Sequence, residues 1–322
     1  MNMNTLRIGL YVIALAAMLL QGCGRASTAR RQLCRADSLI TANKDSAALA
    51  MIERMDTGGL NGDDAAYRNL LKVRAMYKLD MEIKNDSLID LCIAHCKNSG
   101  DMKMLAEAYY YKSTTNYGRQ NIRTATTCMK TAEDIAERLG DQDLKYRIYE
   151  MLNMYNINSN EYALAIHYCK KALEAAIATG NSNYTAYAYA NLAVAQMWNG
   201  CTDSTIYYLD RCIPYIRLIK PQDQAHIYDV IGEVYKNTDK EYAEAYLKKA
   251  IETYPMPWTY GRLAELYLKD GREAEANRIW EKALTFSAEK TIVGIETKIQ
   301  ILESMRELKQ KYGYHREADS IA

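Results

Sequence analysis

Between Tyr260 and Leu284 small and bulky residues recur at intervals of three, four and seven: Tyr260-x2-Leu263-Ala264-x2-Tyr267-x3-Gly271-x4-Ala276-x3-Trp280-x2-Ala283. That spacing puts the residues of each half on one face of a helix. Gly271 stands between the halves, where a helix has to end in a left-handed residue. Ala264 and Ala276 are small where two helices must approach, and Tyr267 and Trp280 fill the space beside them. The stretch predicts an antiparallel helical hairpin, a unit that cannot bury its apolar face alone and therefore has to be stacked on others.

The same register recurs upstream. First-helix tyrosines fall at Tyr109, Tyr149, Tyr189, Tyr228 and Tyr260. Small residues open the second helices at Ala125, Ala165, Thr205, Ala243 and Ala276, and recur further along at Ala132, Ala172, Cys212, Ala250 and Ala283. The last five are 40, 40, 38 and 33 residues apart. This pattern resembles the tetratricopeptide repeat (TPR), a helix-turn-helix unit of about 34 residues. The surplus in the longer units predicts longer helices, at about 1.5 Å per added residue. Two earlier hairpins are read at about 29–55 and 64–97. Their second helices open at Asp45-Ser46 and Asp86-Ser87, side chains suited to the free N–H groups of a helix start. The resemblance implies an all-α fold, a right-handed superhelical solenoid of antiparallel hairpins. Residues 29–322 would hold about eight of them, the last incomplete after Gly313 and Ala318.

Composition agrees with a helical array and narrows the function. There are 4 prolines, and 49% of the 322 residues are hydrophobic. The 27 tyrosines against 1 phenylalanine suit the seams of a thin solenoid, where a ring packs and its hydroxyl reaches water. With 41 Lys plus Arg against 40 Asp plus Glu, the chain carries no electrostatic footprint for nucleic acid.

The N-terminus reads as a targeting segment. Arg7 precedes an apolar run from Ile8 to Leu20, short for a membrane span and suited to a signal-peptide core. Leu20-Gln21-Gly22-Cys23 then resembles the lipobox of bacterial lipoproteins. That resemblance implies a signal peptide over 1–22, diacylglycerol on Cys23 and a short tether over 23–28. Ordinary secretion with Cys23 as a spare thiol is the alternative. Gly24-Arg25-Ala26-Ser27 lacks the acidic residues that resemble surface-export signals in lipoproteins of the Bacteroides group, so the expectation is a cell-envelope protein anchored by lipid and facing the periplasm. In the large Bacteroides-group repeat proteins that the chain resembles, such an array leads into a transmembrane helix and a signalling segment. Here a stand-alone array is expected.

Chemistry has little purchase. Cys92, His95 and Cys96 form a Cys-x2-His-Cys cluster, but a closed zinc site needs four ligands and no second cluster is visible. Buried cysteines beside a surface histidine are the expectation, with no metal and no cofactor. Cys128, Cys169 and Cys212 read as small apolar residues on second helices. The four histidines, His95, His167, His226 and His315, fall in different hairpins, and no phosphate loop, nucleophile elbow or His-Glu-x-x-His pair is present. A non-enzymatic interaction scaffold that holds a protein or peptide partner is therefore expected. A glycan-capturing outer-membrane lipoprotein is the alternative, disfavoured by the short turns. In the repeat family, positions just after the first-helix tyrosine and one turn further on face a concave groove. Here they are Tyr110, Thr114 and Tyr117; Glu150 and Met154; Asn191 and Trp198; Asp229 and Glu233; Arg262 and Glu265. Repeat domains that clamp a C-terminal carboxylate combine Lys, Asn and Arg at such sites. That set is absent, so the activity is not carried over.

Overall fold

The computed structural model describes residues 28–286, 292–314, 318, 320 and 321. The signal peptide, Cys23 and the tether up to residue 27 lie outside them, as does His315. Among the described residues there is no strand. The helices are α1 (28–41), α2 (Asp45–Glu53), α3 (Gly62–Lys78), α4 (Ser87–Ser99), α5 (Met102–Gly118), α6 (Ile122–Leu139), α7 (Gln142–Asn158) and α8 (Tyr162–Thr179). They continue as α9 (Ser182–Trp198), α10 (Thr202–Cys212), α11 (Pro221–Tyr235), α12 (Lys240–Thr253), α13 (Pro257–Lys269), α14 (Glu273–Phe286) and α15 (Ile292–Lys311). The chain divides into two compact units, Met1–Met151 and Leu152–Ala322.

The repeat register read from the sequence is the packing register. All ten small residues that define it, from Ala125 to Ala283, have no solvent exposure. From α5 to α8 and in α13 and α14 helix lengths follow the repeat interval as expected, whereas α10, in a 40-residue interval, has 11 residues. In the 40-residue units α5 to α8 have 17 or 18 residues, whereas α13 and α14 have 13 and 14. Each long helix is thus about one turn longer.

Left-handed residues set the turns. Gln120, Asn160 and Gly200 break the hairpins internally, and Gly100, Gly140 and Gly180 separate one hairpin from the next. Both series keep the 40-residue interval. The residue after each separating glycine caps the following helix: Asp101 accepts from the Met104 N–H at 2.9 Å, Asp141 from Leu144 at 3.0 Å and Asn181 from Asn183 at 3.0 Å. One helix therefore ends and its successor starts within two residues. Gly271, with φ of +73°, closes α13 as the sequence predicts.

In the first unit, Leu33, Ala36 and Ile40 of α1 pack on Ala48, Leu49 and Ile52 of α2 and on Leu71 and Ala75 of α3. Asp37 ties α1 to α3, accepting from Arg74 at 2.8 Å and from the Tyr67 hydroxyl at 2.7 Å. The buried Ser113 hydroxyl donates to the Ala125 carbonyl at 2.6 Å, which fixes α5 on α6.

In the second unit, α10 gives way to a six-residue 3-10 turn, Ile213–Leu218, that carries Pro214. Proline has no N–H to continue an α-helical ladder, so the α-helical part of this second helix ends early. Gly232 lets α11 lie directly on α12, since a Cβ there would stand 2.5 Å from Leu247 Cγ and 3.3 Å from the Ala243 carbonyl oxygen. Tyr260, Leu263, Ala264 and Tyr267 of α13 share one cluster with Ala276, Trp280 and Ala283 of α14 and Ile301 of α15.

Candidate functional site

Functional side chains are expected on the first helices of the hairpins, at positions left over from packing. The first unit uses more of them for packing than the sequence suggests. Tyr110 is buried, edge-on to Tyr111 with ring centres 5.0 Å apart, and the Arg147 guanidinium lies 5.5 Å from its ring centre. Thr114 is buried as well, its hydroxyl turned back to the Tyr111 carbonyl at 3.0 Å. The expectation that Tyr110 and Thr114 face an open groove is therefore corrected. Their side chains point into the stack because α5 is enclosed on more of its circumference than a two-sided amphipathic pattern implies. Tyr117 and Glu150 are half-buried.

The residues that do link adjacent first helices there lie three positions earlier. Arg147 of α7 donates to Glu107 of α5 at 3.0 Å and pairs with Asp143 at 3.2 Å. Neither Glu107 nor Arg147 is distinguished by the tyrosine-based alignment. A signal was present in their opposite charges 40 residues apart, one repeat interval.

In the second unit the outcome is divided. Met154 is exposed, Asn191 is half-buried, and Trp198 is 50% exposed while stacking on Tyr162, ring centres 6.3 Å apart. Asp229 is fully buried, not a free groove carboxylate. Arg262 of α13 reaches across to it on α11 and also lies 3.7 Å from Glu233. Burial pushes the Asp229 carboxyl up to about 6, and the charge of Arg262 offsets only part of that. Glu265 takes Lys311 Nζ at 2.6 Å, the Tyr312 hydroxyl at 3.2 Å and Lys236 at 3.7 Å. Burial alone would raise the Glu265 carboxyl. The hydrogen bond and charge of Lys311, with the charge of Lys236, outweigh it and hold the group below its usual value.

Arg262 and Glu265 nevertheless border an open space. Between α13 and α15 is a cavity of about 330 Å³ lined by Trp258, Gly261, Arg262 and Glu265 on one side and by Ser304, Glu307 and Leu308 on the other. Trp258, Arg262 and Glu265 are spaced i, i+4 and i+7, so one stripe of α13 supplies that wall. Trp258 is 52% exposed and was not singled out from the sequence, because it precedes the repeat tyrosine by two residues.

The cysteine cluster is a packing feature. Cys92 and Cys96 are fully buried with their sulfurs 3.9 Å apart, and burial raises both thiols. His95 turns away, to Asp63 at 2.7 Å. Cys128, Cys169 and Cys212 are buried too. Among the described residues no group of three or more His, Cys, Asp or Glu side chains is placed to hold a metal, and no helix is long and apolar enough to cross a membrane.

Neither a family model nor a curated protein sequence matches the chain. Solved structures do, at low identity. A Rap protein complexed with Competence and Sporulation Factor shares 16% identity with a TM-score of 0.58, over 92% of this chain and 96% of its own. The apo form of the quorum sensor NprR from B. thuringiensis shares 13% with a TM-score of 0.60, over 91% and 96%. A STAND-class signal-transduction ATPase with a tetratricopeptide repeat sensor, from Pyrococcus horikoshii, shares 14% with a TM-score of 0.63, over 91% of this chain and 46% of its own. The chain is thus a TPR-like solenoid of helical repeats, and these likenesses extend to the fold alone.

Proposed function

We propose that this chain is a non-enzymatic scaffold that holds a peptide or protein segment against the first helices of its repeats. The observation that carries the reading is the α13–α15 cavity, an open space walled by one stripe of a first helix, with an exposed tryptophan at its rim. Structures of the same fold support it, including a second NprR structure in complex with its cognate peptide NprX, with a TM-score of 0.58. A selection from a random peptide display library on the mature chain tests it. Enrichment of peptides whose binding is lost in Trp258→Ala supports the scaffold. Failure to enrich any sequence, with the protein folded, contradicts it. Connections of two or three residues around α6 and α8 leave no loop insertion for a glycan platform, which is why the glycan reading ranks second.

The location belongs to the same proposal. Leu20-Gln21-Gly22-Cys23 supports lipid attachment at Cys23 and a membrane-tethered protein of the bacterial envelope facing the periplasm, of the kind found in the Bacteroides group. The mature chain should sediment with membranes, and Cys23→Ser should release it or leave it unprocessed. A Cys23→Ser protein that remains membrane-bound at unchanged mass contradicts the anchor.

A further inference from the structure

We propose that the α13–α15 cavity receives a lysine or arginine side chain of the bound segment, with the Trp258 ring and the Glu307 carboxylate as its recognition groups. This rests on the scaffold reading and gives it a ligand class. The charges around the cavity are unequally committed. Arg262 is held by Asp229 and Glu233, and Glu265 by Lys311, Tyr312 and Lys236. Glu307 is exposed and has no ion-pair partner among the described residues. The uncommitted charge on the wall is therefore negative, which favours a cation and disfavours a carboxylate.

The apolar features fit the same guest. Gly261 has no side chain, and a Cβ there would stand 2.9 Å from the Ser304 hydroxyl, so the floor is the close approach of the two helices. Leu308 lines one side. The methylene stem of a lysine or arginine can lie along such a surface while its charged head stays near water. An exposed indole lines the opening, and an aromatic face attracts such a head. A neutral apolar side chain would use the floor and leave Glu307 unused. An acidic one would meet Glu307 and Glu265 together.

The test uses the full mature chain and the indole N–H resonances of its tryptophans, with Trp258 assigned from Trp258→Phe. Three probes are titrated: Nα-acetyl-arginine amide, its neutral isostere Nα-acetyl-citrulline amide, and Nα-acetyl-glutamate amide. The arginine compound should shift the Trp258 resonance saturably and leave Trp198 unmoved, with citrulline at least fivefold weaker. Glu307→Gln should erase the difference between arginine and citrulline, and Glu307→Lys should turn the preference to glutamate. Equal titration by arginine and citrulline, an unchanged preference in Glu307→Gln, or no shift at all overturns the assignment. The two readings fail separately. Display-selected peptides that bind but carry no basic residue leave the scaffold standing and this assignment wrong. An arginine amide that seats beside Trp258 while the library yields no ligand has the opposite meaning.

Discussion

The 40-residue repeats of α5 to α8 and the shorter repeats of α11 to α14 solve one problem with different means. In the long repeats, helices have 17 or 18 residues and turn at left-handed residues spaced 40 apart. In the short ones, helices of 13 to 15 residues offer about a turn less seam. Compensation comes from closer backbone approach at Gly232 and from a fully buried carboxylate, Asp229, that links α11 to α13 through Arg262. The small residues at the crossing points are equally buried in both. Stacking therefore fixes where a helix is small and leaves its length free, as expected when each unit is stabilised by its neighbours.

If that contrast is right, the short repeats carry a pH sensitivity centred on Asp229. A carboxyl raised to about 6 in the folded chain binds its proton more tightly there than when unfolded. Its contribution is fully present below the unfolded value near 4 and is lost as pH rises through about 6, amounting to up to about 3 kcal/mol. Burial, and then the charge of Arg262, also lowers nearby His226, so the comparison has to be between wild type and Asp229→Asn. Denaturant unfolding from pH 4 to 8 should show wild type losing stability relative to the variant as pH rises. A flat difference would remove the buried carboxylate from the account, and a rising one would mean that pairing with Arg262 outweighs burial.

The close approach gives the next effect in size. Gly232→Ala forces Leu247 and the α11–α12 backbones apart and should cost about 1–3 kcal/mol. Gly118→Ala, at the end of α5 with nothing within 4 Å, should instead stabilise by about 0.4–1 kcal/mol through the unfolded chain. Thermal or denaturant midpoints measure both. Equal effects would mean that the short repeats are no more tightly approached than the long ones.

Much of this contrast was legible in the sequence. Ala264, Ala276 and Gly271 announce a hairpin because a crossing point admits nothing large and a helix end needs a left-handed residue. The same logic reached Cys212 and Thr205, where the residue type changes and the size constraint persists. Side-chain direction was less legible. Tyr110 and Thr114 were expected on an open face, yet both are buried, since period alone does not say how many neighbours enclose a helix. Asp229 was expected as a groove charge, although its charge opposite to that of Arg262, 33 residues or one short repeat away, was a signal of the pair. Trp258 was missed because it lies before the repeat motif, on a first turn that the alignment left out.

The central claim is that the repeats are held by nearest-neighbour stacking in the assigned register, and hydrogen exchange on Ala264→Leu tests it most directly. Ala264 is fully buried where α13 meets α14, so a leucine there overpacks the crossing at a cost of about 1–3 kcal/mol. Protection should fall in α13 and its neighbours while the helices before Tyr189 keep theirs. Lys269→Ala, which removes an exposed side chain bonded to Asn237, should change stability by less than about 0.5 kcal/mol and leave the pattern intact. Uniform loss of protection along the whole chain in Ala264→Leu, or equal damage from Lys269→Ala, would contradict the register.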